Sequence, residues 1–170
     1  MKLYILRHGI AVDPGTGSDA DRTLTPEGRE KMEQAAQGMA ALGLQFDRIL
    51  TSPYVRARET AEIVAQKLGC PERLEVCEAL VPGGSRKELF KRLQKWAADG
   101  QILLVGHEPD LSGLIGELIA ADPYVAIDLK KGSLACLALD RPSRPETACL
   151  EWLLTPKLLR LLGGASEPAG

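Results

Sequence analysis

The residues able to do chemistry in this chain cluster at three places, each directly after an apolar run. Arg7-His8-Gly9 follows residues 2–6, Lys-Leu-Tyr-Ile-Leu. His107, in Val105-Gly106-His107-Glu108-Pro109, follows the run that begins at Gln101. The third segment, Thr51-Ser52-Pro53-Tyr54-Val55-Arg56-Ala57-Arg58-Glu59-Thr60, leaves a short apolar stretch at residues 48–51. His8 and His107 are the only 2 histidines in 170 residues, and both sit in the same kind of place. Arginine forks bind oxyanions bidentately and keep their charge at any working pH. A neutral imidazole can attack phosphorus in line, and a protonated one can hold a nonbridging oxygen. Arg7, His8, Arg56 and His107 would therefore suit a phosphoryl group if the fold brought them together. Gly9 would let the backbone pass close to the anion. Ser52 reads first as a helix cap and second as a phosphate contact. One of Arg56 and Arg58 is expected on the surface beside Glu59 or Glu62, and Arg56 is the one assigned to the pocket.

The elements that must position these residues alternate. Residues 3–6 read as a strand, and the Gly-, Asp- and Ser-rich stretch 13–22 as a loop. Thr25-Pro26 opens a helix with Thr25 as N-cap and Pro26 at the first helical position. Met32, Ala35, Ala36, Met39 and Leu42 give it helical spacing, and Gly43 suits its end. Residues 48–51 form a short strand, and Ser52-Pro53 reads as another capped helix start, running to about Leu68-Gly69. Residues 74–77 predict a third strand, and Ser85 caps a helix ending near Asp99-Gly100. Residues 101–105 are a buried strand and 109–121 a helix, with Asp110 on its cap or first turn. Residues 133–140 and 147–154, split by Arg141-Pro142-Ser143-Arg144-Pro145, predict a hairpin. A short helix follows at 156–162. Alternating β and α elements imply an α/β fold: a single-domain three-layer α/β/α arrangement with a mainly parallel sheet, the C-terminal hairpin adding an antiparallel edge. Strand exits in such sheets converge on ligand sites. One domain is expected over residues 1–162, with 163–170 a flexible tail.

Composition narrows the function classes. Hydrophobic residues make up 45% and charged residues 26%, the mix of a globular protein with a real core. Aromatics are only 4% and the net charge is -2, so neither stacking platforms nor bulk charge favours nucleic acid. No apolar stretch reaches membrane-span length. The start lacks a signal-peptide pattern, so the cytosol is the expected place. Cys70, Cys77, Cys136 and Cys149 form no metal-binding spacing and are expected to be reduced, mostly buried thiols. No metal or cofactor is expected.

The motifs Leu6-Arg7-His8-Gly9, Leu24-Thr25-Pro26-Glu27-Gly28, Thr51-Ser52-Pro53 with Arg56-Ala57 and Glu59-Thr60-Ala61, and Gly106-His107 occur in the order seen in the histidine phosphatase (phosphoglycerate mutase-like) superfamily. The resemblance runs from Leu3 to about Leu118. The short length, Arg-His-Gly-x-Ala and Gly-His-x-Pro-x-Leu resemble the small SixA-type branch, which acts on phosphohistidine in proteins. The resemblance implies His8 as the phosphorylated nucleophile, Arg7 and Arg56 as phosphate-binding arginines and His107 as the second pocket histidine. Arg22 lies where a further basic group would enter. Larger members use a carboxylic acid to protonate an alkoxide leaving group, and the candidate here is Glu78, whose surroundings do not match that motif. A labile P–N bond needs no such acid, whereas a phosphate ester gains 10²- to 10⁴-fold, roughly, from one. The expected partner is a phosphohistidine-bearing protein, a phosphotransfer domain or phosphocarrier, with inorganic phosphate as product. Two alternatives stand beside it: a small-molecule phosphomonoesterase with Glu78 as acid, and a noncatalytic phosphate or phosphohistidine binding module.

Overall fold

A computed structural model describes residues 1–95, 100–140 and 148–165. Parts of three sequence expectations lie outside the described residues: the end of the third long helix at 96–99, the hairpin turn at 141–147 and the last of the tail at 166–170. The described strands are β1 (Lys2–Arg7), β2 (Arg48–Thr51), β3 (Leu74–Val76), β4 (Gln101–Gly106), β5 (Leu134–Leu139) and β6 (Ala148–Leu154). The helices are α1 (Pro26–Ala41), α2 (Val55–Lys67), α3 (Arg86–Leu93), α4 (Asp110–Ala120) and α5 (Pro156–Leu162).

The strands form one sheet in the order β3-β2-β4-β1-β5-β6. β3, β2, β4 and β1 are mutually parallel, and β5 and β6 add the antiparallel edge. Period-2 alternation along the central strands divides the core. Tyr4, Leu6, Leu103 and Val105 face α1, α2 and α5, packing with Met32, Met39, Phe46, Val64 and Leu159. Leu3, Ile5, Ile102 and Leu104 face α3 and α4, packing with Leu89, Leu93, Leu114, Ile115 and Leu118. The result is the three-layer α/β/α architecture read from the sequence.

Local capping follows sequence in most places. The Thr25 hydroxyl accepts from Gly28 N, the Ser85 hydroxyl from Glu88 N and the Thr155 hydroxyl from Leu158 N. One expectation fails. Ser52-Pro53 does not start α2, which begins at Val55 after Tyr54 with no side-chain cap. The Ser52 hydroxyl instead turns toward the C-terminal edge of the sheet, where it has another partner. At the start of the expected tail, the Gly163, Gly164 and Ala165 N–H groups bond back to α5 carbonyls and close that helix.

Candidate functional site

Strand pairing brings the three polar segments side by side. Arg7 pairs with Gly106 across β1 and β4, and Thr51 with Val105 across β2 and β4. The backbone continues that register one residue past the strands: His8 N donates to Gly106 O at 3.1 Å and Ser52 N to Val105 O at 3.0 Å. Three adjacent parallel strands therefore deliver His8, His107 and Ser52 to one edge, where the chain path reverses across the sheet.

His8 and His107 are both buried, with ring centroids 5.1 Å apart. His8 Nδ1 lies 2.7 Å from Gly9 O, so Nδ1 carries the proton and donates it to that carbonyl. Nε2 is left with its lone pair and accepts from Arg56 Nε at 3.2 Å. Burial, then the neighbouring His107, Arg56 and Arg7, lower the His8 pKa to about 3. His107 is lowered to about 4 by burial and by Arg56. Both rings are thus neutral near pH 7.

The second ring is oriented by Ser52. Tyr54 N donates to Ser52 Oγ at 3.3 Å, and His107 Nε2 lies 2.9 Å from the same hydroxyl. His107 Nδ1 is buried and has no hydrogen-bond partner. A buried polar atom of this kind normally finds a partner. Tyr54 packs edge-on against His107 at 5.2 Å, with the Arg56 guanidinium over its own ring at 5.1 Å.

Arg56 is almost fully buried, as assigned, whereas Arg58 is exposed and lies 3.9 Å from Glu62. Thr60, one helical turn beyond Arg56, ties α2 to β1: its hydroxyl donates to Arg56 O at 2.7 Å and accepts from Gly9 N at 3.0 Å. Arg7 is anchored by NH1 on Leu129 O at 2.9 Å, and its Nε is buried and unpartnered. Arg7, His8, Arg56 and His107 thus lie close together at one edge of the sheet, with Ser52 beside His107 Nε2.

Of the remaining expected residues, Arg22 meets Asp19, which also binds Arg56, and Asp110 lines a small cavity with His107. Arg22 donates to Val12 O and to Asp19, at 2.8 Å each. Glu78 is exposed and lines a groove with Glu75, Val76, Glu88 and Lys91 that includes none of the four pocket residues. Asp110 accepts from Gly83 N at 2.9 Å, pinning the turn before α3.

Sequence reading missed Asp19. It lies in a 3₁₀ turn, Asp19–Asp21, within the stretch expected to be loop. Its backbone carbonyl accepts from Arg56 NH1 at 2.6 Å and its Oδ2 from Arg56 NH2 at 3.0 Å. Hydrogen bonds from Arg22 and Arg56 hold its carboxyl below the usual range. Ser18 as a cap could have signalled the turn, but nothing local signals its docking onto a helix 37 residues away. Among the described residues no group of three or more His, Cys, Asp or Glu is placed to hold a metal ion. No described helix is long and apolar enough to cross a membrane. Cys70, Cys77 and Cys136 are buried and Cys149 is exposed, all as free thiols.

An unprotonated ring nitrogen beside two guanidinium groups and a second imidazole is an arrangement that could hold an oxyanion and attack it in line. Residues 3–81 match the family model of the histidine phosphatase superfamily (branch 1). The chain is 32% identical over 164 residues to phosphohistidine phosphatase SixA of Escherichia coli (strain K12), covering 95% of this chain and 98% of that protein. It is 39% identical over 137 residues to an uncharacterized protein of Picosynechococcus sp., covering 79% and 82% of the two chains. Its fold matches the structure of the protein histidine phosphatase SixA complexed with tungstate, with a TM-score of 0.82 at 26% identity over 92% of this chain and 98% of that one.

Proposed function

This chain belongs to the histidine phosphatase superfamily, in its small SixA-type branch, and is a phosphatase; we propose that it hydrolyses phosphohistidine on proteins through a phosphorylated His8. The observation that carries this reading is His8 Nε2, left unprotonated by the Nδ1–H bond to Gly9 O and accepting from Arg56 Nε, a bond that an incoming phosphoryl group would take over, with the His107 ring 5.1 Å away.

In the first step Nε2 attacks phosphorus in line, and the P–N bond to the substrate histidine breaks. The electron pair of that bond goes to the leaving imidazole nitrogen, which takes a proton from solvent. Arg7, Arg56 and the His107 Nδ1–H hold the nonbridging oxygens as charge shifts in the transition state. The Gly9 carbonyl stabilises the positive charge that develops on the His8 ring. In the second step water attacks the same phosphorus, releases inorganic phosphate and restores neutral His8. The bound phosphoryl dianion raises the affinity of His107 for a proton, so the ring can become a charged donor while the anion is present.

Phosphohistidine is favoured over an ester for a specific reason. Glu78 lines a different groove, and Asp19, the carboxylate beside the site, is ionised and bound to arginines. Neither is poised to protonate an alkoxide, whereas imidazole leaves without such help. The likeness to phosphohistidine phosphatase SixA of Escherichia coli supports the same substrate class.

The test is rapid-quench turnover of a ³²P-phosphohistidine protein beside a panel of phosphomonoesters. Acid-labile label should appear on the enzyme, and His8→Ala should lose both label and turnover. Turnover of esters with none of phosphohistidine would replace this reading with the phosphomonoesterase. Tight binding of phosphohistidine without loss of phosphate would replace it with a binding module.

A further inference from the structure

Arg7 is clasped by the turn before β5, and one side chain of that clasp has no partner. Gly132 N donates to Arg7 O at 3.0 Å and Arg7 N donates to Ser133 O at 3.2 Å. Two residues therefore oppose one, and the strand pair is bulged at Arg7. Gly132 takes a φ of 82°, and Ser133 N closes the turn on Lys130 O at 2.8 Å. A glycine in the left-handed region permits such a bulge, which re-aims side chains beside a site. Leu129 O, from the same segment, accepts from Arg7 NH1 at 2.9 Å. Residues 129–133 thus hold both the backbone and the guanidinium of one arginine. Two polar atoms are left over: Arg7 Nε and the Ser133 hydroxyl are both buried, and neither has a hydrogen-bond partner.

The two leftover atoms are complementary, since an arginine N–H only donates and a hydroxyl also accepts. They belong to facing residues. Ile5 pairs with Ala135 across β1 and β5, and the backbone bonds carry that register on to Arg7 and Ser133. Ile5 and Ala135 pack on the α3 and α4 side of the sheet, so period-2 alternation puts Arg7 and Ser133 on that side too. Facing residues of an antiparallel pair have Cβ atoms about 5 Å apart, within reach of a long side chain. With NH1 on Leu129 O the bond between them is not made. A phosphoryl group draws guanidinium N–H groups to itself, because charge-assisted bonds are stronger than one to a neutral carbonyl. We propose that Ser133 is a positioning residue for Arg7: when a phosphoryl group takes the guanidinium from Leu129 O, the Ser133 hydroxyl accepts from Arg7 Nε and fixes the arginine in its working pose. Burial then favours the occupied site, because the two groups are unpartnered without phosphate and paired with it. This inference rests on the phosphoryl pocket described above and holds for any leaving group.

Equilibrium dialysis with ³²P-labelled inorganic phosphate tests this independently of the substrate. Ser133→Ala removes the hydroxyl, and Ser133→Cys replaces it with a group of nearly the same size that accepts only weakly. Both should raise the phosphate Kd roughly three- to tenfold, the worth of one hydrogen bond. The urea midpoint of Ser133→Ala without phosphate should stay at or above the parent's, since the deleted hydroxyl has no partner there. A clearly lower midpoint overturns the proposal, because the hydroxyl would then already be bonded in the free protein. An unchanged Kd also overturns it. So does a parent-like Kd in Ser133→Cys beside a weakened Ser133→Ala, because size rather than the bond would then matter. The Arg7 Nε–H signal in ¹⁵N NMR, assigned by its loss in Arg7→Lys, reads the bond itself. Phosphate should slow its exchange with water in the parent and not in either variant. Equal slowing in all three would mean that phosphate itself takes Nε–H, and Ser133 would lose its role. If phosphate binding follows the expected pattern but phosphohistidine is not turned over, the positioning role stands and only the substrate reading falls.

Discussion

Each imidazole has one ring nitrogen held by a neighbouring oxygen: Nδ1 of His8 by Gly9 O and Nε2 of His107 by the Ser52 hydroxyl. A Ser52 hydroxyl that donates to Nε2 would keep the His107 proton on Nδ1. Ser52→Ala removes that hydroxyl, so the His107 proton is free to move to Nε2 and the donor toward the oxyanion is lost part of the time. We expect kcat to fall about ten- to a hundredfold, the range seen when an orienting group is removed. KM for a phosphohistidine protein should change far less, as initial-rate kinetics would show; a KM effect with intact kcat would mean that Ser52 contacts substrate directly. Asp19 acts with the opposite sign. Its carboxylate shares the Arg56 guanidinium that a phosphoryl group would need. Asp19→Asn should tighten inhibition by inorganic phosphate roughly two- to fivefold, the scale of a partly exposed ion pair. Weaker inhibition would instead make the carboxylate a support that holds Arg56 in its working pose.

Elements place these residues by approaching each other closely where glycine permits it. The N-terminus of α1 rests on the loop just past His8, and a Cβ at Gly28 would lie 2.0 Å from Ile10 O. That carbonyl also accepts from Thr25 N, so it cannot turn aside without losing its bond. Gly28→Ala should therefore lower stability by about 1–3 kcal/mol, as overpacking does, and reduce turnover by shifting the segment that follows His8. Gly17→Ala, where nothing lies within 4 Å, is the matched control. Urea midpoints of both variants against the parent would check this, and equal midpoints would contradict it. The same closeness gives a physical reason for Gly28 in Leu24-Thr25-Pro26-Glu27-Gly28, a motif read from the sequence as a helix start and as part of the family resemblance. Local features were legible there because they repeat along the chain: the alternation in β1 and β4, the spacing of α1, the Thr25 and Ser85 caps. The three layers and the antiparallel hairpin followed from the order of elements. The position of β4 between β1 and β2 did not, since strand order depends on which faces bury best together and leaves no periodic trace. Site residues were legible where they end strands, as with His8 and His107, or sit in a helical motif, as with Arg56. Ser52 was placed at the right edge and given the wrong partner, because a serine before proline satisfies the rules for a cap equally well. Asp19 was missed because its partner, Arg56, is contiguous only in space.

Taken as one folding unit, the molecule reports the protonation of its site through global stability. The chain has only 2 histidines, and both are buried at the ends of central strands. Their pKa values are lowered to about 3 and about 4 in the folded chain, against about 6.5 when unfolded. Between pH 4 and 6.5, roughly, the unfolded chain binds more protons than the folded one, so stability must rise with pH across that window. Above it both states carry neutral histidines and the contribution is complete; as pH falls through the window it is progressively lost. Carboxylates with lowered values, such as Asp19 and Glu75, act in the same direction but mainly below about pH 5, near their unfolded values. The interval from pH 5 to 6.5 therefore belongs to the two site histidines. Urea midpoints should climb over that interval in the parent and climb less in His107→Asn, with the double variant His8→Asn/His107→Asn nearly flat. Saturating phosphate should also flatten the climb, because an anion in the pocket raises both histidine pKa values toward the unfolded one. A double variant as steep as the parent would show that the histidines are not held neutral by burial, and with that the lone pair proposed to attack phosphorus would lose its physical basis.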